Sequence, residues 1–115
     1  DAGWSSFFLS YWHRDQQEFS LEQSINYLTA KQARIIGLQD RGSLEVGKRA
    51  DINIIDIDKL AERQPMRVQD FPGGAPRFIQ RAIGYQNTIV NGQVILENDE
   101  LTGEVGGQII RNQPK

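Results

Sequence analysis

The sequence predicts an α+β chain: N-terminal helices followed by a small β-sandwich-like sheet that contains an Asn-Gly hairpin. Three observations carry this expectation. Aromatic residues fall at Trp4, Phe7, Phe8, Tyr11 and Trp12, the i, i+3, i+4, i+7, i+8 positions of one helix face. Ser20 precedes Gln23 at the capping-box spacing, ahead of Leu21, Ile25 and Leu28. Asn91-Gly92, the favoured pair for a two-residue type I′ turn, separates two apolar-rich runs.

The elements follow in order. The aromatic helix ends at the polar His13, Arg14 and Asp15, and its stripe reads as a surface packed on a large body. Exposed, it would form a sticky patch, so something is expected to cover it. A second helix starts at Ser20. A third is expected after Thr29 as N-cap, through Ala30, Ala33, Ile35 and Ile36, with Gly37 as a left-handed stop. The small Ala30 and Ala33 suggest close packing against a neighbour.

After Gly42 the period changes, which divides the chain into a helical segment, residues 1–41, and a β-rich segment, residues 42–115. Ser43 to Val46 reads as a short strand and Gly47-Lys48 as a turn. Ala50 to Ile57 reads as a strand with apolar residues on both faces, hence central in a sheet. Residues 62–81 hold Pro65, Pro72 and Pro76 and little periodicity, so an irregular loop is expected there. Tyr85 to Val90 and Gln93 to Glu97 form the hairpin, with Ile89 facing Val94 and Val90 facing Gln93. Asn98-Asp99-Glu100 makes another polar turn, and Gly103 to Gly107 a glycine-rich connection.

Composition excludes whole classes of function. The chain has 115 residues, 38% hydrophobic and 24% charged, so it reads as neither a disordered tail nor a membrane span. Lys plus Arg number 13 and Asp plus Glu 15, a net charge of -2 that gives no general reason to bind nucleic acid or anionic lipid. There is no cysteine and one histidine, so a scheme needing thiolates or several imidazoles cannot be completed by one copy. The first residues carry no basic, apolar targeting pattern, and a cytoplasmic location is expected. Beginning at Asp1 instead of Met fits trimming, a fragment or an incomplete reading frame.

Candidate chemistry is sparse. His13 is a conceivable general base, but no Ser or Asp stands at a relay spacing, and a histidine at a helix C-terminus also favours the helix dipole. Asp51, Asp56 and Asp58 invite a metal reading, while turn and cap roles suit their places at the strand ends better. Gly73-Gly74 lacks the flanking strand and helix of a phosphate loop. Glu45, Glu97 and Glu104 show no fixed pairing, and Arg67, Arg77 and Arg81 are scattered over a solvated surface.

The run Gly42-Ser43-Leu44-Glu45-Val46-Gly47-Lys48-Arg49-Ala50-Asp51 resembles the G-x-L-x-x-G-x-x-A-D segment of the amidohydrolase superfamily, and Thr88 to Val94 looks like its closing hairpin. Thr29 to Gly42 resembles the T-x-x-x-A-R-x-x-G-L-x-D-R-G run of the N-acyl-D-amino-acid deacylase branch. Phe7 through Asp15 is similar to the helix that follows the last barrel strand there. The resemblance implies the C-terminal portion of a zinc-dependent (β/α)₈-barrel hydrolase acting on the amide of N-acyl-D-amino acids or related compounds. Residues 1–41 would then come from the end of the barrel, and residues 42–115 from the composite β-domain.

Asp1-Ala2-Gly3 is similar in outline to the family's Ser-Asp-Gly-Gly-Ala-His-like segment, but Trp4-Ser5 replaces the Ala-His expected there. No residue of this chain is therefore assigned a catalytic, cofactor-binding or metal-ligating role. Zinc is expected in the intact family member, not in this chain. The expected partners are the missing N-terminal part of the parent or further copies in a homo-oligomer. The competing expectation is a free-standing structural or interaction module without activity.

Overall fold

In a computed structural model, residues 3–111 are described; Asp1 and Ala2 lie outside them. An α-helix, α1 (Trp4–Phe7), runs directly into a π-helix over Phe8–Asp15. The expected single α-helix is thus corrected: beyond Phe8 the turns widen, as the bond from Gln16 N–H to Tyr11 O at 2.9 Å shows. Wider turns give room to large neighbouring rings, and Phe7 stacks on Tyr11 with centroids 5.0 Å apart. The face turned inward consists of Ser6, Leu9 and Ser10. The aromatic face remains open, with Trp4 59% and Trp12 40% exposed.

Helix α2 (Leu21–Leu28) begins with the capping box: Ser20 Oγ accepts from Gln23 N–H, and the Gln23 side chain accepts from Ser20 N–H. Phe19 ties it to the first helix by stacking on Phe8 at 5.4 Å and meeting Tyr27 edge-on at 5.8 Å. Helix α3 (Ala30–Ile36) ends at Gly37 in the left-handed conformation. Thr29 does not cap it through its side chain: the hydroxyl donates backward to Ile25 O at 2.6 Å. Ala33 is buried beneath Gly42, where an added Cβ would lie 2.7 Å from the alanine methyl.

Ser43 to Val46 is not a strand. Positive φ at Gly42 and Gly47 bends the chain at both ends. The Lys48 ammonium gathers Ser43 and Glu45 into a local cluster, and Leu44 and Val46 point to solvent. Among the described residues no strand lies alongside to use its backbone groups.

Strand β1 (Ile52–Ile55) is shorter than expected and lies at an edge, not the centre, of a four-stranded antiparallel sheet. It pairs with β6 (Tyr85–Val90), Ile52 opposite Ile89 and Asn53 opposite Thr88, with a register shift after Ile54. The described residues supply no strand for its other side, and Ile54 is 44% exposed. Strands β6 and β7 (Gln93–Glu97) pair Ile89 with Val94 and Val90 with Gln93 across Asn91-Gly92, whose φ values are 52° and 81°. Strand β8 (Glu100–Leu101) returns after Asn98 and Asp99. The Asp99 carboxylate accepts from Gly84 N–H at 3.1 Å and Tyr85 N–H at 2.7 Å.

Two further sheets hold two strands each. β2 (Ala61–Glu62) pairs with β5 (Ala82–Ile83), and β3 (Met66–Val68) with β4 (Arg77–Ile79). Residues 62–81 are therefore not an irregular loop but a hairpin arm. Its register is Met66 to Ile79, Arg67 to Phe78 and Val68 to Arg77. Its tip is a 3₁₀ turn, Pro72–Gly74, with left-handed Gly73 and Gly74. Among the described residues the strands make three separate antiparallel sheets and no closed sandwich.

The core is small. Leu9, Ala33 and Leu60 are the buried apolar side chains among the described residues. Leu60 sits where the two halves meet, fully buried, under Gly84. That glycine has φ +100°, and an added Cβ would lie 2.8 Å from the Leu60 Cα.

Candidate functional site

The conspicuous polar constellation lies between α3, the loop after it and the β6–β7 turn. Asp40 accepts from Arg41 Nε at 3.2 Å and Arg49 Nε at 2.8 Å, and its backbone carbonyl accepts from Arg49 N–H at 2.8 Å. Arg41 reaches Asp51 at 3.1 Å; Asp51 in turn accepts from Asn91 N–H at 2.8 Å, while Arg49 donates to the Asn91 side chain at 3.1 Å. Hydrogen bonds from Arg41, then Arg49, hold the Asp40 carboxyl down to about 2. Asp40, Arg41, Arg49, Asp51 and Asn91 thus form a latch that fastens the helix-end loop to the hairpin turn. They border a cleft of about 480 Å³. Each guanidinium already faces a carboxylate, so the latch acts as a fastening.

The acidic trio divides into separate tasks. Asp51 belongs to the latch. Asp56 accepts from Lys59 N–H at 3.3 Å and pairs with its ammonium at 3.1 Å, which lowers its carboxyl below the ordinary carboxylate range. Asp58 offers its backbone carbonyl to Arg14. Among the described residues, no group of three or more His, Cys, Asp or Glu side chains is placed to hold a metal ion. His13 Nδ1 lies 2.9 Å from Phe19 O and closes the turn after the first helix instead of meeting a nucleophile.

Arg14 was not singled out by sequence, yet it joins the halves. Its Nη1 donates to Ile57 O at 2.9 Å, Asp58 O at 3.3 Å and Leu60 O at 2.7 Å, and Asp15 holds the guanidinium by its Nε at 2.7 Å. A position more than forty residues from its partners leaves no local pattern to find. Ser6 Oγ and Tyr85 Oη, 2.9 Å apart, make a second tie across the same seam.

Beside that seam an open recess of about 440 Å³ is lined by Trp4, Leu9, Ile25, Leu28, Ile52 and Tyr85, among others. It is mainly apolar, and Asn53 at its edge is committed to Thr88 Oγ1 at 2.8 Å. Gly73-Gly74 turns the arm tip. Arg77 meets Asp70 through two 2.6 Å bonds and lies over the Phe71 ring at 5.4 Å. Glu45 serves Lys48, and Arg81 pairs with Glu100 at 3.6 Å. The arrangement offers packing surfaces and fastenings, with no activated nucleophile among the described residues. No helix among them is long and apolar enough to cross a membrane.

Comparison with known proteins gives these features a context. A family model described as the amidohydrolase family matches residues 3–96. A dihydroorotase of Lactobacillus acidophilus is 38% identical over 80 residues, 69% of this chain and 19% of its own. An N-acyl-D-glutamate deacylase of Alcaligenes xylosoxydans xylosoxydans is 39% identical over 62 residues, 52% of this chain and 13% of its own. A solved D-aminoacylase mutant in complex with CuCl2 superposes with a TM-score of 0.75 at 26% identity, covering 94% of this chain and 21% of that one. The chain therefore spans about a fifth of the length of such relatives. Its helices, its latch and all but the last residue of its hairpin fall within the matched stretch, and the chain belongs to the amidohydrolase family.

Proposed function

We propose that this chain forms the C-terminal portion of a zinc-dependent amidohydrolase that cleaves the amide of N-acyl-D-amino acids or related compounds. In this reading the chain contributes the last barrel helices and part of the composite β-domain, while the catalytic centre is built from other parts of a cytoplasmic enzyme. The similarity to D-aminoacylase over 94% of the chain supports the branch. One observation carries the division of labour: among the described residues apolar burial stops at Leu9, Ala33 and Leu60, while Trp4, Tyr11, Trp12 and Ile54 are exposed. A self-contained domain of this size would enclose many more apolar side chains.

The residues described do not fit a zinc site. The single histidine is engaged with Phe19 O, and the aspartates are dispersed among arginine, lysine and backbone partners. No step of hydrolysis is routed through this chain. Its role in the reaction is to brace the barrel wall: α1 and its π continuation present an aromatic face, Arg14 anchors that helix to the strands, and the latch holds the β6–β7 turn.

The open aromatic face and the free side of β1 are covered by the remainder of the parent polypeptide or, without it, by further copies of this chain. The purified chain, assayed with zinc on N-acyl-D-amino acids, is expected to release no amino acid and to associate in light scattering. Turnover by the chain alone overturns the assignment of the catalytic centre elsewhere. A well-behaved monomer at high concentration overturns the covering.

A further inference from the structure

The arm carries side chains that the scaffold does not use. Arg67 and Phe78 are cross-strand partners and so share one face. Phe78 is 73% exposed, and Arg67, also exposed, enters no ion pair among the described residues. Arg77, by contrast, is consumed by Asp70. An isolated two-stranded hairpin is marginal in water. That fork, with the Arg77 guanidinium over Phe71, is what stiffens this one.

The root of the arm is fixed to one end of the first helix. Gln80 accepts from Gly3 N–H at 3.1 Å and donates to Glu62 and to Arg63 O, each at 3.1 Å. Gly3 is packed so closely that an added Cβ would lie 3.1 Å from the Gln80 side chain. The arm therefore rises from the end at which α1 begins. In a (β/α)₈ barrel each helix begins near the face where the strands end, and active sites are built on that face.

We infer that the arm is part of the substrate-recognition surface, Arg67 taking the carboxylate of an N-acyl amino acid and Phe78 the apolar part of its acyl group. The inference rests on the function proposed above, in which α1 follows the last barrel strand. The chemistry is complementary: a guanidinium fork matches a carboxylate in two parallel hydrogen bonds, and an aromatic face on the neighbouring strand covers hydrocarbon. Neither group touches the scissile amide, so both act as specificity determinants.

The test uses the polypeptide that carries this chain in full, unsubstituted and as Arg67→Ala, Arg67→Lys and Phe78→Ala. The probes are N-acetyl-D-leucine, its methyl ester and N-hexanoyl-D-leucine. Arg67→Ala is expected to raise KM for the acid ~10- to 100-fold with kcat within about twofold, and to leave the ester unchanged. Arg67→Lys restores part of the loss. Phe78→Ala lowers the preference for hexanoyl over acetyl ~10-fold. Arg67→Ala kinetics that match the unsubstituted protein, or that fall equally for acid and ester, overturn the inference. Should Phe78→Ala fail to fold, the Arg67 pair decides alone. Calorimetric binding of N-acetyl-D-leucine separates the two claims. Binding without turnover, weakened by Arg67→Ala, sinks the proposed hydrolysis and keeps the arm; turnover indifferent to Arg67→Ala sinks the arm alone; neither binding nor turnover sinks both.

Discussion

The β6–β7 hairpin and the aromatic helix Trp4–Asp15 are both strongly patterned, yet they end in opposite conditions. The hairpin finds its partners within the described residues: β1 on one side, β8 on the other, and the latch at its turn through Asp51 and Asn91. The helix buries two serines and a leucine and stacks Phe8 on Phe19, but leaves Trp4, Phe7, Tyr11 and Trp12 exposed. Patterning thus specifies an element, while completeness depends on whether the opposing surface is present. Inside this chain the hairpin is finished, while most of the helix's aromatic face stays exposed.

Substitutions sharpen that contrast. Leu60→Ala, at the seam both regions share, is expected to cost about 2–5 kcal/mol in denaturant titration, enough to unfold a chain with so small a core. A loss under 1 kcal/mol would mean the seam is not the core. Gly84→Ala comes next, about 2–4 kcal/mol, because left-handed strain adds to a collision with the Leu60 backbone. Gly92→Ala strains only the hairpin turn, where a Cβ meets open space, and should cost about 1–2 kcal/mol.

Acid probes the latch. The Asp40 carboxyl is lowered from 3.8 to about 2, so the folded state holds fewer protons than the unfolded one between those values. Its contribution is complete above the unfolded value and fades as pH falls from about 4 toward about 2. Asp40→Asn should flatten the stability profile in that window, as followed by thermal melts at a series of pH values. An unchanged slope would remove Asp40 from the account. The smallest effect belongs to the helix face: Trp12→Ser in this chain is expected to cost about 1 kcal/mol, since the ring is 40% exposed and meets Tyr11 edge-on at 5.1 Å. A large loss would show that the stripe has a partner within the chain.

What sequence revealed follows the same division. Ser20 with Gln23, the stop at Gly37, and the pairing of Ile89 with Val94 were legible because each needs only a few neighbouring residues. The arm was not legible, since three-residue strands lack a period and prolines flank them, and the Asp70–Arg77 fork forms only once the two strands are paired. The apolar alternation at Leu44 and Val46 does not make a strand, because among the described residues no strand lies alongside. The π turns of the first helix escaped notice since the same ring spacing suits either winding. The latch was visible as a family motif but not as a fastening: Arg49 and Asn91 lie 42 positions apart. Likewise Arg14 finds its carbonyls only once the strands are in place.

Amide hydrogen exchange, comparing this chain alone as a dilute monomer with the polypeptide that carries it in full, tests the central claim most directly. The account predicts that β6 and β7 amides are protected in both, whereas the β1 amides not bonded to β6 and those of Trp4–Asp15 become protected only in the longer protein. Equal protection of the helix and the hairpin in the isolated monomer would contradict it.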